Sequence, residues 1–243
     1  MTSDRDWLQQ ASLLTAENWL HGWTTGQGPD FKVDPTSDDH LDCVDKLVRA
    51  AGLKAGAWVR QVHGGGVLKV TEGGFAGEAD ALWSDQPGLG VIGRGADCPL
   101  VLVGGARPNG SRIWGFAHAS WRSTVQGITA GLILAMTEGG AEPAGLRAVI
   151  CPSAGPCCYE VGDDVRQAAL ESLGPGAAWF FLERFDGLIF DLWAANVAQL
   201  TAAGVTEANI FNVLHCTICG GDRYPSHRRD GDEAGRFAAV IGF

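Results

Sequence analysis

The sequence predicts one globular domain, or two closely fused halves, in which strands and helices follow one another in irregular order, and three observations carry that prediction. Of 243 residues, 46% are hydrophobic and 19% charged, a composition that supplies a sizeable core. The 35 glycines are scattered without a triplet period, which excludes a collagen-like chain and implies frequent turns between short elements. Short apolar runs alternate with stretches of helical periodicity, yet no regular strand–helix–strand rhythm emerges and no glycine-rich phosphate loop follows a strand. A doubly wound nucleotide-binding sheet is therefore not supported. A solenoid or coiled coil is excluded too, because neither a long repeat nor heptads recur.

In chain order, residues 9–19 read as an edge strand or the start of a helix. Residues 26–39 (GQGPDFKVDPTSDD) read as a long loop, because Gly, Pro, Asp and Ser break periodic structure. Residues 39–51 place Leu41, Val44, Leu47 and Val48 at helical spacing after an acidic start, the pattern of an amphipathic helix. Strands at 57–62 and 67–70 are joined through His63-Gly64-Gly65-Gly66, where the glycine run forces a tight loop and presents the histidine. Two apolar strand-like runs, 91–92 and 100–103, flank a polar insert holding Arg94, Asp97 and Cys98. A strand at 113–117 ends in His118-Ala119-Ser120-Trp121-Arg122, and a helix follows at 124–136. Further strands fall at 147–151, 188–192 and 210–214, with helices at 163–173 and 192–203.

Lys+Arg 18 against Asp+Glu 28 leaves a net charge of −10, which repels a nucleic-acid backbone and an anionic membrane. The start, Met1-Thr2-Ser3-Asp4-Arg5-Asp6, has neither a basic stretch nor an apolar one, and the longest apolar runs are too short or too interrupted to span a bilayer. With 7 cysteines, an odd number in a chain long enough to fold without bridges, a reducing, cytoplasmic setting is expected. Free thiols there are packing residues, metal ligands or nucleophiles.

Three polar residues stand at the ends of apolar strands: His63, Cys98 and His118. Two imidazoles and a thiolate suit zinc with a fourth position left for water or substrate. The same residues suit a Cys98 thiolate paired with His118, His63 serving as a second base, and their spacing is equally met by three separate packing residues. A basic run, Ser226-His227-Arg228-Arg229-Asp230-Gly231 followed by Gly235-Arg236, offers guanidinium forks for an anion, and Arg122 stands just after the His118 strand end; a solvated turn held by Asp230 is the alternative. Cys216-Thr217-Ile218-Cys219 lacks a second CxxC and reads as packing, or as a small accessory metal site with His215. The vicinal pair Cys157-Cys158 cannot close an unstrained bridge and reads as packing.

Seven segments then occur in one order: Gln61-Val62-His63-Gly64; Ala79-Asp80-Ala81 with Ser84; Ala96-Asp97-Cys98-Pro99-Leu100-Val101-Leu102; His118-Ala119-Ser120-Trp121-Arg122; Tyr159-Glu160-Val161-Gly162; Cys216-Thr217; and the basic run at 226–236. Together they resemble the YfiH family, also called the laccase-domain or multicopper polyphenol oxidase family and described as purine nucleoside phosphorylases, over residues 55–243. The resemblance implies an α+β fold, mixed sheets covered by helices, in one domain whose residues 1–54 depart from the family pattern. It also implies a zinc-binding or catalytic cluster of His63, Cys98 and His118. On that footing Arg122 and Arg228 are suited to hold phosphate, and Asp97 to bind a purine nitrogen or orient a histidine. The implied activity is phosphorolysis of adenosine, inosine, guanosine or methylthioadenosine, with adenosine deamination at the same site. Partners would be a small nucleoside and phosphate.

This chain departs from the family in places. Ser120 and Ser123 replace two glycines, adding side chains beside the expected cleft; an arginine is missing where Trp23-Thr24-Thr25 leads into Gly26; and Val44 replaces a helix asparagine. Three other functions remain. Copper-dependent phenol oxidation is disfavoured because only 6 His occur and none form a His-x-His pair. A cysteine amidase editing cell-wall precursors would use Cys98 as nucleophile and His118 as base. A zinc-binding module without activity would fit the departures.

Overall fold

The computed structural model describes residues 6–185 and 187–243, so residues 1–5 of the N-terminal segment lie outside the described residues. Strands Leu8–Gln9, Leu20–Thr24, Phe237–Gly242, Leu89–Gly95, Ala55–Arg60 and Gly74–Glu78 form one sheet in that order. A second sheet runs Ile210–Asn212, Arg147–Ile150, Leu100–Ala106, Arg112–His118, Ala81–Ser84 and Val67–Lys69. Both mix parallel and antiparallel pairs. A small antiparallel sheet, Glu160–Val161, Gly187–Phe190 and Phe181–Arg184, packs with helix Asp163–Leu173. The α+β class with mixed sheets is the one expected.

The side-chain period of two explains how these parts stack. In the strand Leu100–Ala106, Leu100 and Leu102 point into a cluster shared with Val91, Ala239 and Ile241 of the first sheet, so the two sheets pack face to face. Val101 and Val103 turn the other way, toward helices Ile128–Glu138 and Leu192–Ala202. On the far side, Ile92, Ala238 and Val240 meet Val44, Leu47 and Val48 of helix Asp38–Ala51. The order of layers is helix, sheet, sheet, helices. Strands covered on both faces are written as unbroken apolar runs, and each large side chain fully buried there contributes about 1.5–3 kcal/mol. The sheets approach closely at Gly93, where a Cβ would fall 2.5 Å from Phe116 Cε2.

Several expectations are corrected. The helix Asp38–Ala51 starts where Ser37 accepts the amide of His40 and stops at Gly52, φ 85°. Its buried stripe begins at His40, packed between Phe31 and Trp58, and Leu41 is 47% exposed. The expected helix at 124–136 is two, Trp121–Val125 and Ile128–Glu138, because Gly127 takes φ 76° between them. The strands at 57–62 and 67–70 do not share a sheet; the chain crosses from one to the other through the glycine run. Strands Leu20–Thr24, Gly74–Glu78, Ala81–Ser84 and Phe237–Gly242 carry too many Gly, Ala or polar residues to announce themselves.

Candidate active and metal centre

Strand register brings the candidate residues to one sheet edge. Arg112–His118 lies between two antiparallel neighbours, with His118 opposite Leu100 on one side and Ala117 opposite Ala81 on the other. Cys98, just before Leu100, and Asp80, just before Ala81, therefore arrive beside His118. His63 comes from the other sheet. The Gln61 side chain holds it there, donating from Nε2 to Arg94 O at 2.8 Å and accepting from Arg94 N at 2.9 Å, which ties the segment before His63 to the one before Cys98.

Asp80 organises both histidines. Fully buried, its carboxylate accepts the amides of Val62 (3.2 Å), His63 (3.0 Å) and Gly64 (2.6 Å), and its Oδ1 is bonded to His118 Nδ1 at 2.8 Å. Holding Nδ1 in this way leaves His118 Nε2 as the free nitrogen. The three amides hold His63 in the left-handed region, φ 60°, a conformation that costs on the order of 1–3 kcal/mol without such support. The two imidazole rings are 5.1 Å apart, and one donor atom from each of His63, Cys98 and His118 lies within 4.8 Å of the others. His63 is exposed, Cys98 half-buried and His118 buried, so the centre opens on its His63 side.

The charges reinforce this arrangement. Burial alone pushes the Cys98 thiol up, but the neighbouring His118 charge and hydrogen bonds from His118 and His63 bring it down to about 6. Burial likewise opposes the His118 cation, yet the Cys98 sulfur and the Asp80 carboxylate raise it to about 9. Burial pushes Asp80 up as well; the bonds to His118 and to the amides of Gly64 and His63 outweigh it and hold the carboxyl below its ordinary range. Without a metal, Cys98 and His118 are thus a thiolate–imidazolium pair around neutral pH.

The other expected site residues sit around this centre in different ways. Asp97, at φ 85°, accepts from Thr217 Oγ1 at 2.6 Å and from Arg228 N at 2.6 Å. Its carboxylate is thus engaged with these two groups, and the carboxylate that orients a histidine is Asp80. The cavity of about 360 Å³ over His63, Cys98 and His118 is lined by the cations Lys32, Arg94 and Arg236. Arg122 and Arg228 instead line a separate cleft of about 540 Å³, together with Tyr159. Arg228 lies over the Tyr159 ring and donates to Glu160 O. The Arg122 guanidinium lies over Trp121 and, among the described residues, makes no hydrogen bond or ion pair. Ser120 and Ser123 are buried and bonded to each other, Ser120 capping the helix Trp121–Val125, so they do not project into either cleft. Sequence reasoning missed the roles of Asp80 and Arg94; the Ala79-Asp80-Ala81 segment was the available signal.

A thiolate and two imidazoles, one of them backed by a buried carboxylate, define a metal-capable cysteine–histidine centre at the shared edge of two mixed sheets. Residues 31–243 match the family described as multi-copper polyphenol oxidoreductase laccase, and the chain belongs to that family. It is 34% identical to the protein named purine nucleoside phosphorylase YlmD of Geobacillus stearothermophilus, over 84% of this chain and 80% of that one. The crystal structure of YlmD from Geobacillus stearothermophilus superposes with a TM-score of 0.82 at 30% identity, covering 98% of both chains. A protein from an unknown prokaryotic organism, named adenosine deaminase RL5, is 34% identical over 65% of this chain and 59% of its own length.

Proposed function

We propose that this chain is a purine nucleoside phosphorylase of the YfiH type and that His63, Cys98 and His118 hold a zinc ion. The observation that carries this reading is the convergence of those three donors in front of Asp80. They fit zinc chemically. A carboxylate behind the ligating histidine fixes its tautomer, the thiol is already driven toward thiolate, and three donors leave one position open. When bound, zinc supplies a Lewis acid that polarises an oxygen or lowers the pKa of water.

The chain's own residues supply the rest. Phosphorolysis breaks the bond from C1′ to the purine nitrogen and forms one to a phosphate oxygen, with positive charge developing on the ribose. Arg122, which has no anionic partner among the described residues, and Arg228 hold the phosphate dianion, whose charge stabilises that transition state. Tyr159, with the Arg228 guanidinium over its ring, shapes the wall of the cleft. Asp97 is a positioning residue that ties the segment before Cys98 to Thr217 and to the Arg228 backbone. Adenosine deamination at the same centre is a second activity that the adenosine deaminase relative supports.

Phenol oxidation by a multi-histidine copper centre fits poorly. His21 is bonded to Trp19 O and Ala11 N, His40 sits in the apolar core, His215 packs on Tyr224, and His227, though it lines the same cavity, has Nδ1 bonded to Gly231 O, so among the described residues only His63 and His118 share a ligand cluster. The thiolate–imidazolium pair does favour one alternative, a cysteine amidase with Cys98 as nucleophile. The deciding experiment incubates the protein with a panel of purine nucleosides, with and without phosphate, and separates products by chromatography. Free base and ribose 1-phosphate formed only with phosphate are expected. No turnover of any nucleoside, together with Cys98-dependent hydrolysis of an amide, would overturn the assignment.

A further inference from the structure

Of the six cysteines outside the active centre, four converge. Cys157, Cys158, Cys216 and Cys219 each place a sulfur within 4.8 Å of the other three, and Cys157 Sγ lies 3.6 Å from Cys219 Sγ. We propose that these four cysteines form a second metal site, an all-sulfur tetrahedral centre for one zinc ion that fixes the loops behind the active centre.

Geometry and ligand chemistry both point there. A single ion bonded to sulfur at ~2.3 Å separates its tetrahedral ligands by about 3.8 Å, in line with the spacing seen, whereas a multi-iron cluster spreads its cysteines farther apart. Four sulfurs without a carboxylate or imidazole make a soft, closed ligand set, which selects thiophilic ions and leaves no position for substrate. Packing accounts for Cys216, buried in the core with Cys158 against it, but not for Cys157 and Cys219, which are exposed. The reading as packing does not extend to the exposed Cys157 and Cys219, and the CxxC does not pair with His215, whose ring lies on Tyr224.

The surrounding backbone is built to hold such a centre. Thr217 N donates to Ser153 O at 3.1 Å and Ser153 N to His215 O at 3.1 Å, which clamps the start of the Cys216–Cys219 turn. Gly155 N donates to Cys216 Sγ at 3.3 Å, and the amides of Ile218 and Cys219 also face that sulfur, as suits a thiolate. Arg229 Nη1 donates to Thr217 O and Gly221 O at 2.8 Å each, holding the same turn. On the other side, Arg184 donates to Pro156 O (2.7 Å) and Cys157 O (3.1 Å). Four thiolates with one divalent ion carry a net charge of about −2; the Arg184 guanidinium, without an ion pair among the described residues, offsets part of it, whereas Arg229 is ion-paired with Asp230 and contributes hydrogen bonds to the turn. Through Thr217 the turn reaches Asp97, the neighbour of Cys98.

The test separates the two centres. Full-length Cys98→Ser protein, which lacks the thiolate of the active centre, is purified with zinc present and examined by metal analysis and zinc X-ray absorption. About one zinc per chain in an all-sulfur shell is expected, lost when Cys157→Ser and Cys219→Ser are added. Wild-type protein gives an independent reading by alkylation and peptide mapping: Cys157, Cys158, Cys216 and Cys219 should react only after a chelator strips the metal. The proposal is overturned if Cys98→Ser protein binds no zinc, if its zinc has nitrogen or oxygen ligands, if the four thiols alkylate freely without chelator, or if a disulfide such as Cys157–Cys219 occupies the cluster in freshly purified protein.

Discussion

Two sulfur-bearing clusters stand in this chain, one of three donors and one of four. His63, Cys98 and His118 are carried on strand ends, backed by a buried carboxylate and open to a cavity. Cys157, Cys158, Cys216 and Cys219 are carried on loops and backed by carbonyl-binding arginines. An incomplete donor set on a rigid scaffold leaves room for chemistry, whereas a complete one on loops can only hold the loops together. The contrast separates a reactive centre from a structural one by donor count and by what supports the donors.

The largest expected effect breaks the contrast at its reactive end. Cys98→Ala or His118→Ala should lower phosphate-dependent turnover by on the order of 10²–10⁴ or more, with stability lowered by about 1–2 kcal/mol for Cys98→Ala and about 3–5 kcal/mol for His118→Ala, which leaves the buried Asp80 carboxylate without its cation. Steady-state kinetics and thermal unfolding check these numbers. Asp80→Ala breaks the same pair from its other side and leaves three amides and His118 without their acceptor. A loss of about 3–5 kcal/mol is expected, measured by denaturant unfolding, while Asp80→Asn should keep more of the stability than of the activity.

At the structural end, Cys219→Ser should lower Tm by several degrees, as loss of about 1–2 kcal/mol does in a chain of this size, yet leave kcat within a few-fold. A collapse of kcat at unchanged Tm would reverse the roles assigned to the two clusters. Smaller still, Arg122→Ala should raise the KM for phosphate about tenfold with little change in Tm, since among the described residues its guanidinium has no hydrogen bond or ion pair to lose and only the contact with the Trp121 ring goes. An equal KM for phosphate in the variant would move the anion to the cavity of Arg94 and Arg236.

The smallest effect concerns pH in the metal-free protein. A raised imidazole stabilises the fold below its ordinary 6.5 and loses that contribution as pH rises through about 9. A depressed thiol stabilises above its ordinary 9.0 and loses that contribution as pH falls through about 6. Taken as a pair, the folded chain gives up protons near 6 and 9 and the unfolded chain near 6.5 and 9.0. Their proton counts almost match, so stability should stay nearly flat across that window. Alkylation of Cys98 should nonetheless persist down to about pH 6 and shift toward 9 in His118→Gln. Both are read on chelator-treated protein.

Much of this was legible in the chain before folding. Runs such as Leu100–Val103 reveal a strand covered on both faces, because such a strand needs apolar residues at every position. The ordered motifs around His63, Cys98 and His118 named the donors and the family. What the sequence by itself determined is therefore local: which segments bury both faces, which carry turns, and which reactive side chains stand at strand ends. Only the tertiary structure decided which of these meet. The roles of Asp80 and Asp97 diverge because register across three strands, not proximity to Cys98 in the chain, sets which carboxylate reaches His118. Strand Phe237–Gly242, a string of small residues beside Val240 and Ile241, becomes central only because two neighbours pair with it. The four cysteines were invisible as a group because half the set is a vicinal pair more than fifty residues upstream of the CxxC. Side-chain chemistry is written residue by residue, but coordination and hydrogen bonding depend on distances that hold only once distant segments are packed together.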